Sequence, residues 1–156
     1  MSASDVSADS VDAILERAAA RGREQGVPYA GLITPAEAWR LSEAHAASIV
    51  DVRTRPEWEL VGRIPESVLV EWRRYGETAP NAEFAAELAA RFEPEDTLLF
   101  LCRSAVRSHH AAEIATRAGF SKSFNILEGF EGEIDSDQQR GRLAGWRKAG
   151  LPWIQS

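Results

Sequence analysis

The segment Thr97-Leu-Leu-Phe-Leu-Cys-Arg-Ser-Ala-Val-Arg107 carries the clearest structural pattern in this chain. Its first five residues are almost all apolar, which is typical of a strand covered on both faces in a parallel sheet. A helix is expected to follow from Ala105 to Ala118, and Gly119 is the residue type that commonly ends a helix. The segment therefore predicts a strand, a short loop that starts at Cys102, and a helix.

Further short apolar runs occur on both sides of this segment, separated by helical patterns. Strands that alternate with helices predict an α/β protein with a parallel sheet and helices on both faces. The predicted strands lie at residues 31–33, 48–52, 67–70, 97–101 and 124–127, the first of them at an edge of the sheet.

The helical signals are clearest at Thr34, Pro35 and Glu37, which form a capping box with proline at the first helical position. The helix that starts there is expected to end near His45. Residues 56–60 predict a short helical turn, and the Gly-rich, acidic stretch 128–141 predicts a loop. Three more helices are predicted: from Ser10, as N-cap, to Gln25; from Asn81, as N-cap, to Arg91; and from Arg142 to Lys148.

The length of 156 residues favours one domain. We expect residues 1–30 to form a partly helical N-terminal extension, with residues 1–9 frayed, and residues 31–156 to form the domain itself. The segment from Met1 to Ser10 has neither the basic nor the apolar part of a secretory signal. A cytoplasmic location is therefore expected.

Composition excludes several classes of partner and cofactor. With 18 Lys and Arg against 24 Asp and Glu, the net charge is −6, which argues against nucleic acid as a partner. No apolar run approaches the roughly 18 residues of a membrane helix, so no membrane partner is expected. A single cysteine rules out an internal disulfide and a Cys-rich zinc site, and His45, His109 and His110 lack the spacing of metal ligands.

Cys102 lies where chemistry is expected in this architecture, because ligands bind at the carboxyl ends of strands in open α/β sheets. From Thr97 to Ala112 there are two arginines and two histidines but no Asp or Glu. This basic stretch and the N-terminus of the following helix favour the thiolate over the thiol and attract anions. The alternative is that Cys102 is only a small buried apolar residue.

Several motifs together resemble the rhodanese family of sulfurtransferases, over about residues 31–153. Each motif is weak alone, but their order and spacing are specific. They are Ile49-Val-Asp-Val-Arg53; Glu57-Trp58 followed by Gly62-Arg-Ile-Pro65; Leu99-Phe-Leu-Cys-Arg-Ser-Ala-Val-Arg-Ser108; Ala118-Gly-Phe120; and Gly150-Leu-Pro152.

The resemblance implies a three-layer α/β/α domain around a mostly parallel five-stranded sheet. It also implies a sulfurtransferase in which Cys102 accepts a sulfane sulfur as a persulfide. The implied partners are a small anionic donor such as thiosulfate and a thiol, cyanide or protein acceptor; no metal or organic cofactor is implied. The implied substrate-binding loop consists of Arg103, Ser104, Ala105, Val106 and Arg107.

Three departures from the family pattern bear on the choice of acceptor. Ala105 stands where the family loop usually has glycine, so it is strained if that position needs a positive φ. The usual Gly-His-Ile-Pro-Gly-Ala reads Gly62-Arg-Ile-Pro-Glu-Ser67 here. The usual Gly-Gly pair appears as Gly129-Phe130, followed by a polar insertion to about Gly145.

Other functions for the same cysteine stay open at this stage. Cysteine phosphatases of a related fold use Cys-x₅-Arg, whereas Cys102 and Arg107 form the shorter Cys-x₄-Arg; arsenate reduction generally needs further thiols. A Cys–His hydrolase would need His109 or His110 to reach the thiol. A rhodanese-like binding or regulatory module without turnover is the non-enzymatic alternative.

Four residues outside the loop core are candidates for supporting roles. Asp51 orients a loop arginine or caps its own turn. Arg53 approaches the pocket or, as we favour, is solvated or paired with an acidic side chain. Glu57 holds Arg103 or Arg107, or is a helix-start carboxylate. Ser108 closes the loop motif, and Trp72 is the tryptophan expected at the pocket mouth.

Overall fold

The computed structural model describes residue 6 and residues 8–155. Most of the segment expected to be frayed, residues 1–9, lies outside the described residues. The helices are α1 (Val11–Gln25), α2 (Pro35–Glu43), α3 (Phe84–Arg91) and α4 (Val106–Arg117), and a π-helical turn occupies Glu57–Val61. The strands are β1 (Gly31–Ile33), β2 (Ser48–Asp51), β3 (Val68–Leu69), β4 (Leu98–Leu101) and β5 (Ser123–Ile126).

The five strands form one parallel sheet in the order β1-β5-β4-β2-β3. The predicted parallel α/β sheet is confirmed, and β1 is an edge strand as expected. β4 is central, with every residue buried, which explains its unbroken apolar sequence. Its carboxyl end therefore lies in the middle of the sheet edge, and Cys102 follows it directly.

Alternate residues of the strands face two separate apolar cores. Leu98 and Phe100 of β4 pack in the core that includes Phe84 of α3 and the buried alanines of α4. Leu99 and Leu101 pack in the core that includes residues of α1 and α2. The sheet thus lies between two helical layers, which confirms the three-layer α/β/α fold.

Helix α1 packs into the second core. Ile14 and Ala18 are fully buried, and α1 lies so close to β1 that a Cβ on Gly31 would come within 2.3 Å of the Ala18 carbonyl oxygen. Ser10 caps the helix, since its side chain accepts from the Ala13 backbone N–H at 3.1 Å. The predicted helix is therefore confirmed.

The capping box at α2 is also confirmed, with Thr34 Oγ1 accepting from Glu37 N at 3.2 Å and Glu37 Oε1 accepting from Thr34 N at 3.0 Å. Glu37 is buried, and Arg17 and Arg21 of α1 donate to its carboxylate at distances of 2.7 to 2.9 Å. Two arginines from α1 and the cap of α2 thus meet on one carboxylate, which joins the two helices.

The helix predicted at residues 142–148 is wrong, and the helix predicted to end at Arg91 is present but starts later than expected. Residues 142–148 form turns because Gly141 and Gly145 adopt positive φ angles of 85° and 109°, which an α-helix cannot contain. Asn81 does not cap α3, which begins at Phe84; its side chain instead accepts from the Glu83 backbone N–H at 3.0 Å. The loop predicted at residues 128–141 is confirmed.

No helix in residues 8–155, the continuous part that the structure describes, is long and apolar enough to cross a membrane.

Candidate active site

Cys102 lies between β4 and α4, and its side chain is buried. Its Sγ accepts a hydrogen bond from the Ala105 backbone N–H at 3.1 Å, and Ser108 Oγ lies 3.2 Å from the same sulfur. The first turn of α4 leaves backbone N–H groups without partners inside the helix, and these favour negative charge nearby. The surroundings of the sulfur therefore suit an anion.

The loop turns at Ala105, which has φ 79° and ψ 4°. This left-handed conformation is ordinary for glycine but costs an alanine about 1–2 kcal/mol, because its Cβ approaches the following carbonyl oxygen. The position thus has the geometry that glycine would favour. The turn directs the Ala105 N–H toward Cys102 Sγ, so the strained residue makes one of the contacts to the sulfur.

Asn125, a buried polar residue of β5, holds the loop through two hydrogen bonds. Its Oδ1 accepts from Ser108 Oγ at 2.6 Å, and its Nδ2 donates to the Ala105 carbonyl oxygen at 3.2 Å. One amide side chain therefore holds both the residue that turns the loop and the hydroxyl beside Cys102 Sγ. Asn125 was not among the predicted site residues, although it is the one polar residue of the predicted strand 124–127 and buried polar groups need partners.

Arg107 closes the loop through a two-bond ion pair with Glu57. Its Nη1 and Nη2 donate to Glu57 Oε1 and Oε2 at 2.7 and 2.9 Å, and both side chains are 19% exposed. Burial alone would raise the pKa of Glu57, but the hydrogen bonds from Arg107 and Thr54 outweigh it and lower this pKa to about 2. Glu57 therefore stays ionised and holds the Arg107 guanidinium in place.

Asp51 and Arg53 form a separate, fully buried pair. Arg53 Nε and Nη2 donate to the two Asp51 oxygens, at distances of 2.7 to 3.2 Å, and Nη2 also donates to the Gly62 carbonyl oxygen at 2.7 Å. The Arg53 guanidinium also lies 4.4 Å from the ring centre of Phe130. Neither residue lines the cavity at Cys102, so Asp51 orients Arg53 and not an arginine of the loop.

A cavity of about 350 Å³ opens over Cys102. No carboxylate lines it among the residues that the structure describes, and four arginines do. A neighbouring cavity of about 540 Å³ shares these four arginines and also reaches Glu57, Glu77 and Glu131. The lining of the inner cavity consists of Arg73, Cys102, Arg103, Ser104, Val106, Arg107 and Arg140.

The structure thus brings four residues of the predicted loop, Arg103, Ser104, Val106 and Arg107, into one cavity with Cys102. Two further predicted residues, Ala105 of the loop and Ser108 after it, form hydrogen bonds with the sulfur. Arg73 and Arg140 also line this cavity but were not predicted from the sequence. Arg73 follows the carboxyl end of β3, a position that the rule for parallel sheets points to, whereas nothing in the sequence placed Arg140 near the site.

The insertion after β5 fastens the loop from a second side. The Phe130 N–H donates to the Cys102 carbonyl oxygen at 2.8 Å, and the Glu131 and Gly132 N–H groups donate to the Arg103 carbonyl oxygen at 3.0 and 3.2 Å. Gly129 makes this approach possible, because a Cβ there would lie 2.4 Å from the same Arg103 oxygen.

The histidines and Trp72 contribute nothing to the lining of the Cys102 cavity. His109 Nδ1 bonds to Tyr29 Oη at 2.7 Å, and His110 is exposed. Both line a different, mainly apolar cavity of about 560 Å³, which does not include Cys102. Trp72 packs edge-on against Phe84, with ring centres 5.2 Å apart.

Known proteins resemble this chain in sequence and in fold. The family model of the rhodanese-like domain matches residues 34–133. The crystal structure of Rv0390 from M. tuberculosis is 46% identical, with a TM-score of 0.74, and the match covers 82% of this chain and 99% of that one.

Two curated relatives are more distant. An uncharacterized protein of Rickettsia conorii is 34% identical over 113 residues, which cover 69% of this chain and 82% of the relative. The thiosulfate sulfurtransferase GlpE of Actinobacillus pleuropneumoniae is 25% identical over 126 residues, which cover 77% of this chain and 89% of the relative. Since the family model spans well over half of the chain and includes the loop from Cys102 to Arg107, the chain belongs to the rhodanese-like domain family.

Proposed function

We propose that this protein is a sulfurtransferase, which moves a sulfane sulfur from thiosulfate or a related anionic donor to a thiophilic acceptor through a persulfide on Cys102. One observation carries the proposal: a buried thiol lies in a cavity lined by four arginines and no carboxylate of the described chain. Such a cavity attracts an anionic donor and leaves the sulfur as its nucleophile.

In the first half-reaction, the Cys102 thiolate attacks the outer sulfur of thiosulfate. A new S–S bond forms at Cys102, the S–S bond of thiosulfate breaks, and its electron pair leaves with sulfite. The Ala105 N–H, 3.1 Å from Sγ, stabilises the thiolate before attack, whereas the Ser108 hydroxyl donates its proton to Asn125 Oδ1. The unpartnered N–H groups at the start of α4 stabilise the outer sulfur of the persulfide, as oxyanion-hole donors do in acyl transfer.

In the second half-reaction, a nucleophile attacks the outer sulfur of the persulfide. With cyanide, the C–S bond of thiocyanate forms, the S–S bond at Cys102 breaks, and the electron pair returns to the Cys102 thiolate. No electrons are gained or lost overall. Thiols and protein acceptors follow the same bond changes, so cyanide is a suitable test acceptor.

The loop arginines have different tasks in this mechanism. Arg103 is exposed and lines the cavity, so it attracts and orients the donor. Arg107 is held by Glu57 through two bonds and contributes a fixed positive charge. A planar guanidinium suits this role better than a lysine ammonium, since it can bind a carboxylate with two donors and still present others.

Steady-state kinetics of thiosulfate-to-cyanide transfer test the proposal. Cys102→Ser should abolish the reaction, because an alcohol forms no persulfide. Arg107→Gln should lower kcat/KM about 10- to 150-fold, as expected for a lost charge-assisted hydrogen bond of about 1.5–3 kcal/mol. The kcat/KM of Arg107→Lys should lie between those of the wild type and Arg107→Gln, since lysine keeps the charge but loses the two-bond geometry.

His109→Ala and His110→Ala serve as the controls, because neither side chain lines the Cys102 cavity; each should change turnover only a few-fold. Circular dichroism confirms that all variants fold. A histidine variant as inactive as Cys102→Ser would contradict the mechanism and favour a Cys–His pair. A folded wild-type protein without any transfer would favour the binding-module alternative.

A further inference from the structure

The arginines around Cys102 differ in whether a carboxylate neutralises them. Glu57 pairs with Arg107 through two hydrogen bonds. Arg140 donates from Nη1 to the Gly132 carbonyl oxygen at 2.8 Å, a neutral partner. Arg73 and Arg103 form no ion pair with any described carboxylate. Three of the four guanidinium groups therefore keep their full charge in a cavity without a carboxylate in its described lining.

This positive charge exceeds the negative charge of a persulfide or of thiosulfate. The cavity is also larger than either group needs. A cavity of about 350 Å³ corresponds to roughly ten water volumes, far more than an ion of two sulfur and three oxygen atoms fills. A neighbouring cavity of about 540 Å³ shares these four arginines, and its lining also includes Glu57, Glu77 and Glu131, so an anionic group is favoured on the side of the inner cavity. A combined space of this kind suits a small organic ligand.

Two of these arginines come from segments outside the Cys102 loop. Arg73 is in the connection between β3 and α3, and Arg140 is in the insertion after β5. The insertion is held in place, since the Gly141 N–H donates to the Glu131 carbonyl oxygen at 2.7 Å and Trp146 N–H to that of Gly129 at 2.9 Å. Arg140 is therefore positioned by the same segment that fastens the loop.

We propose that Arg73 and Arg140 form an anion subsite beside Cys102, and that the sulfur acceptor is a small organic thiol that carries carboxylate groups. This inference rests on the proposed function, and it specifies the acceptor class of that reaction. The acceptor's carboxylates bind the two guanidinium groups, which places its thiol at the outer sulfur of the Cys102 persulfide.

The transfer step is balanced without a further reactant. The acceptor thiolate attacks the outer sulfur of the persulfide, and an S–S bond forms between them. The S–S bond at Cys102 breaks, and its electron pair stays on Cys102 as thiolate. The products are the free enzyme and the persulfide of the acceptor, so one sulfane sulfur has moved and no net oxidation has occurred.

A panel of simple thiols tests the acceptor class on the wild-type protein. The probes are mercaptosuccinate, with two carboxylates; 2-mercaptoethanol, which is neutral; and cysteamine, which is cationic. With thiosulfate as donor and rates expressed per thiolate, kcat/KM should be about tenfold or more higher for mercaptosuccinate than for 2-mercaptoethanol, and lowest for cysteamine. The preference should shrink at high salt, because partly exposed ion pairs are screened.

The double variant Arg73→Gln/Arg140→Gln tests the residues. It should reduce the mercaptosuccinate preference about three- to tenfold, whereas Arg117→Gln should leave it unchanged. Arg117→Gln serves as the control because it removes an exposed arginine at the far end of α4 from the loop. Equal kcat/KM for the three thiols in the wild type, or an unchanged preference in the double variant, would overturn the subsite.

Cyanide separates this failure from failure of the proposed function. If the wild-type protein transfers sulfur to cyanide but shows no preference among thiols, only the subsite is wrong. If cyanide receives no sulfur either, the sulfurtransferase proposal itself fails and the subsite with it.

Discussion

Single residues set the conformation of the Cys102 loop, and at Ala105 this conformation costs backbone strain. A left-handed alanine stores about 1–2 kcal/mol of backbone strain, and here the strain persists because Asn125 Nδ2 holds the Ala105 carbonyl oxygen. Backbone strain held in place by its surroundings is a frequent property of functional loops. The loop geometry at Cys102 is therefore maintained by its neighbours and not by the preference of its own residues.

Ala105→Gly should stabilise the protein. Glycine adopts φ 79° without strain but gains freedom in the unfolded chain, so the free energy of unfolding should rise by about 0.5–1 kcal/mol net. For a chain of this size, such a gain raises Tm by roughly 1–4 °C. Urea and thermal unfolding measure the change.

Ala90→Gly is the control for this substitution. Ala90 is exposed and within α3, where glycine should lower the free energy of unfolding by about 1 kcal/mol. Loss of stability in both variants would show that the Ala105 turn is not strained.

The loop was predictable from sequence because its residues are contiguous. Cys102 to Ser108 form one motif, and the position after an apolar central strand places it at the ligand-binding edge. Arg140 and Asn125 join the site only through the folding of distant segments. Nothing in the sequence around Arg140 encodes that approach, and the polar Asn125 in an apolar run indicates only a buried group that needs partners, not which loop it holds.

At the scale of elements, the insertion after β5 is a structural support for the Cys102 loop. Backbone N–H groups of residues 130–132 donate to the carbonyl oxygens of Cys102 and Arg103.

Local sequence signals predicted the elements that carry their own caps, such as α2 with Thr34. They failed at residues 142–148, where an apparently helical sequence is interrupted by the positive φ of Gly145.

Gly129→Ala should disrupt this support. The new Cβ would lie 2.4 Å from the Arg103 carbonyl oxygen, and φ is +70°, so the loop and the insertion must separate. We expect a loss of at least about 2 kcal/mol in the free energy of unfolding and a marked loss of sulfur transfer. Chemical denaturation and the thiosulfate–cyanide assay measure the two effects.

Gly150→Ala is the matched control, because Gly150 has a similar φ of +76° but no atom within 4 Å of a new Cβ. Gly150→Ala should lower the free energy of unfolding by only about 1 kcal/mol, the cost of a left-handed alanine, and leave sulfur transfer intact. Equal effects of the two substitutions would mean that close packing at Gly129 is unimportant.

At the scale of the whole molecule, two carboxylates join separate parts of the fold: Glu37, which is buried, and Glu57, which is 19% exposed. Glu37 connects α1 to α2 through Arg17 and Arg21, and Glu57 connects the π-helical turn to the Cys102 loop through Arg107. Burial alone would raise the pKa of Glu37, but the hydrogen bonds from Arg21, Thr34 N–H and Arg17 lower it to about 2. The pKa of Glu57 is lowered to about 2 as well.

These pKa values predict a loss of stability in acid. Between about pH 4.5 and pH 2, the unfolded chain binds protons at Glu37 and Glu57 while the folded protein does not. The free energy of unfolding should therefore be at its full value above about pH 4.5 and fall as the pH drops to 2. Each carboxylate contributes up to roughly 3 kcal/mol.

Urea unfolding from pH 7 to pH 2.5 measures this dependence. Glu37→Gln should lower the free energy of unfolding at pH 7 and reduce its slope in acid, because the titrating group has been removed. The exposed Glu95→Gln variant should keep the wild-type curve. A Glu37→Gln curve parallel to the wild type would show that this carboxylate does not carry the acid sensitivity.

If Cys102 carries the sulfane sulfur, treatment with thiosulfate changes the intact mass of the protein, which mass spectrometry measures. The wild-type chain should gain the mass of one sulfur atom and lose it again on addition of cyanide or dithiothreitol. Cys102→Ser should gain nothing under the same conditions. A folded wild-type protein that gains no sulfur, or a Cys102→Ser variant that gains as much, would contradict the account.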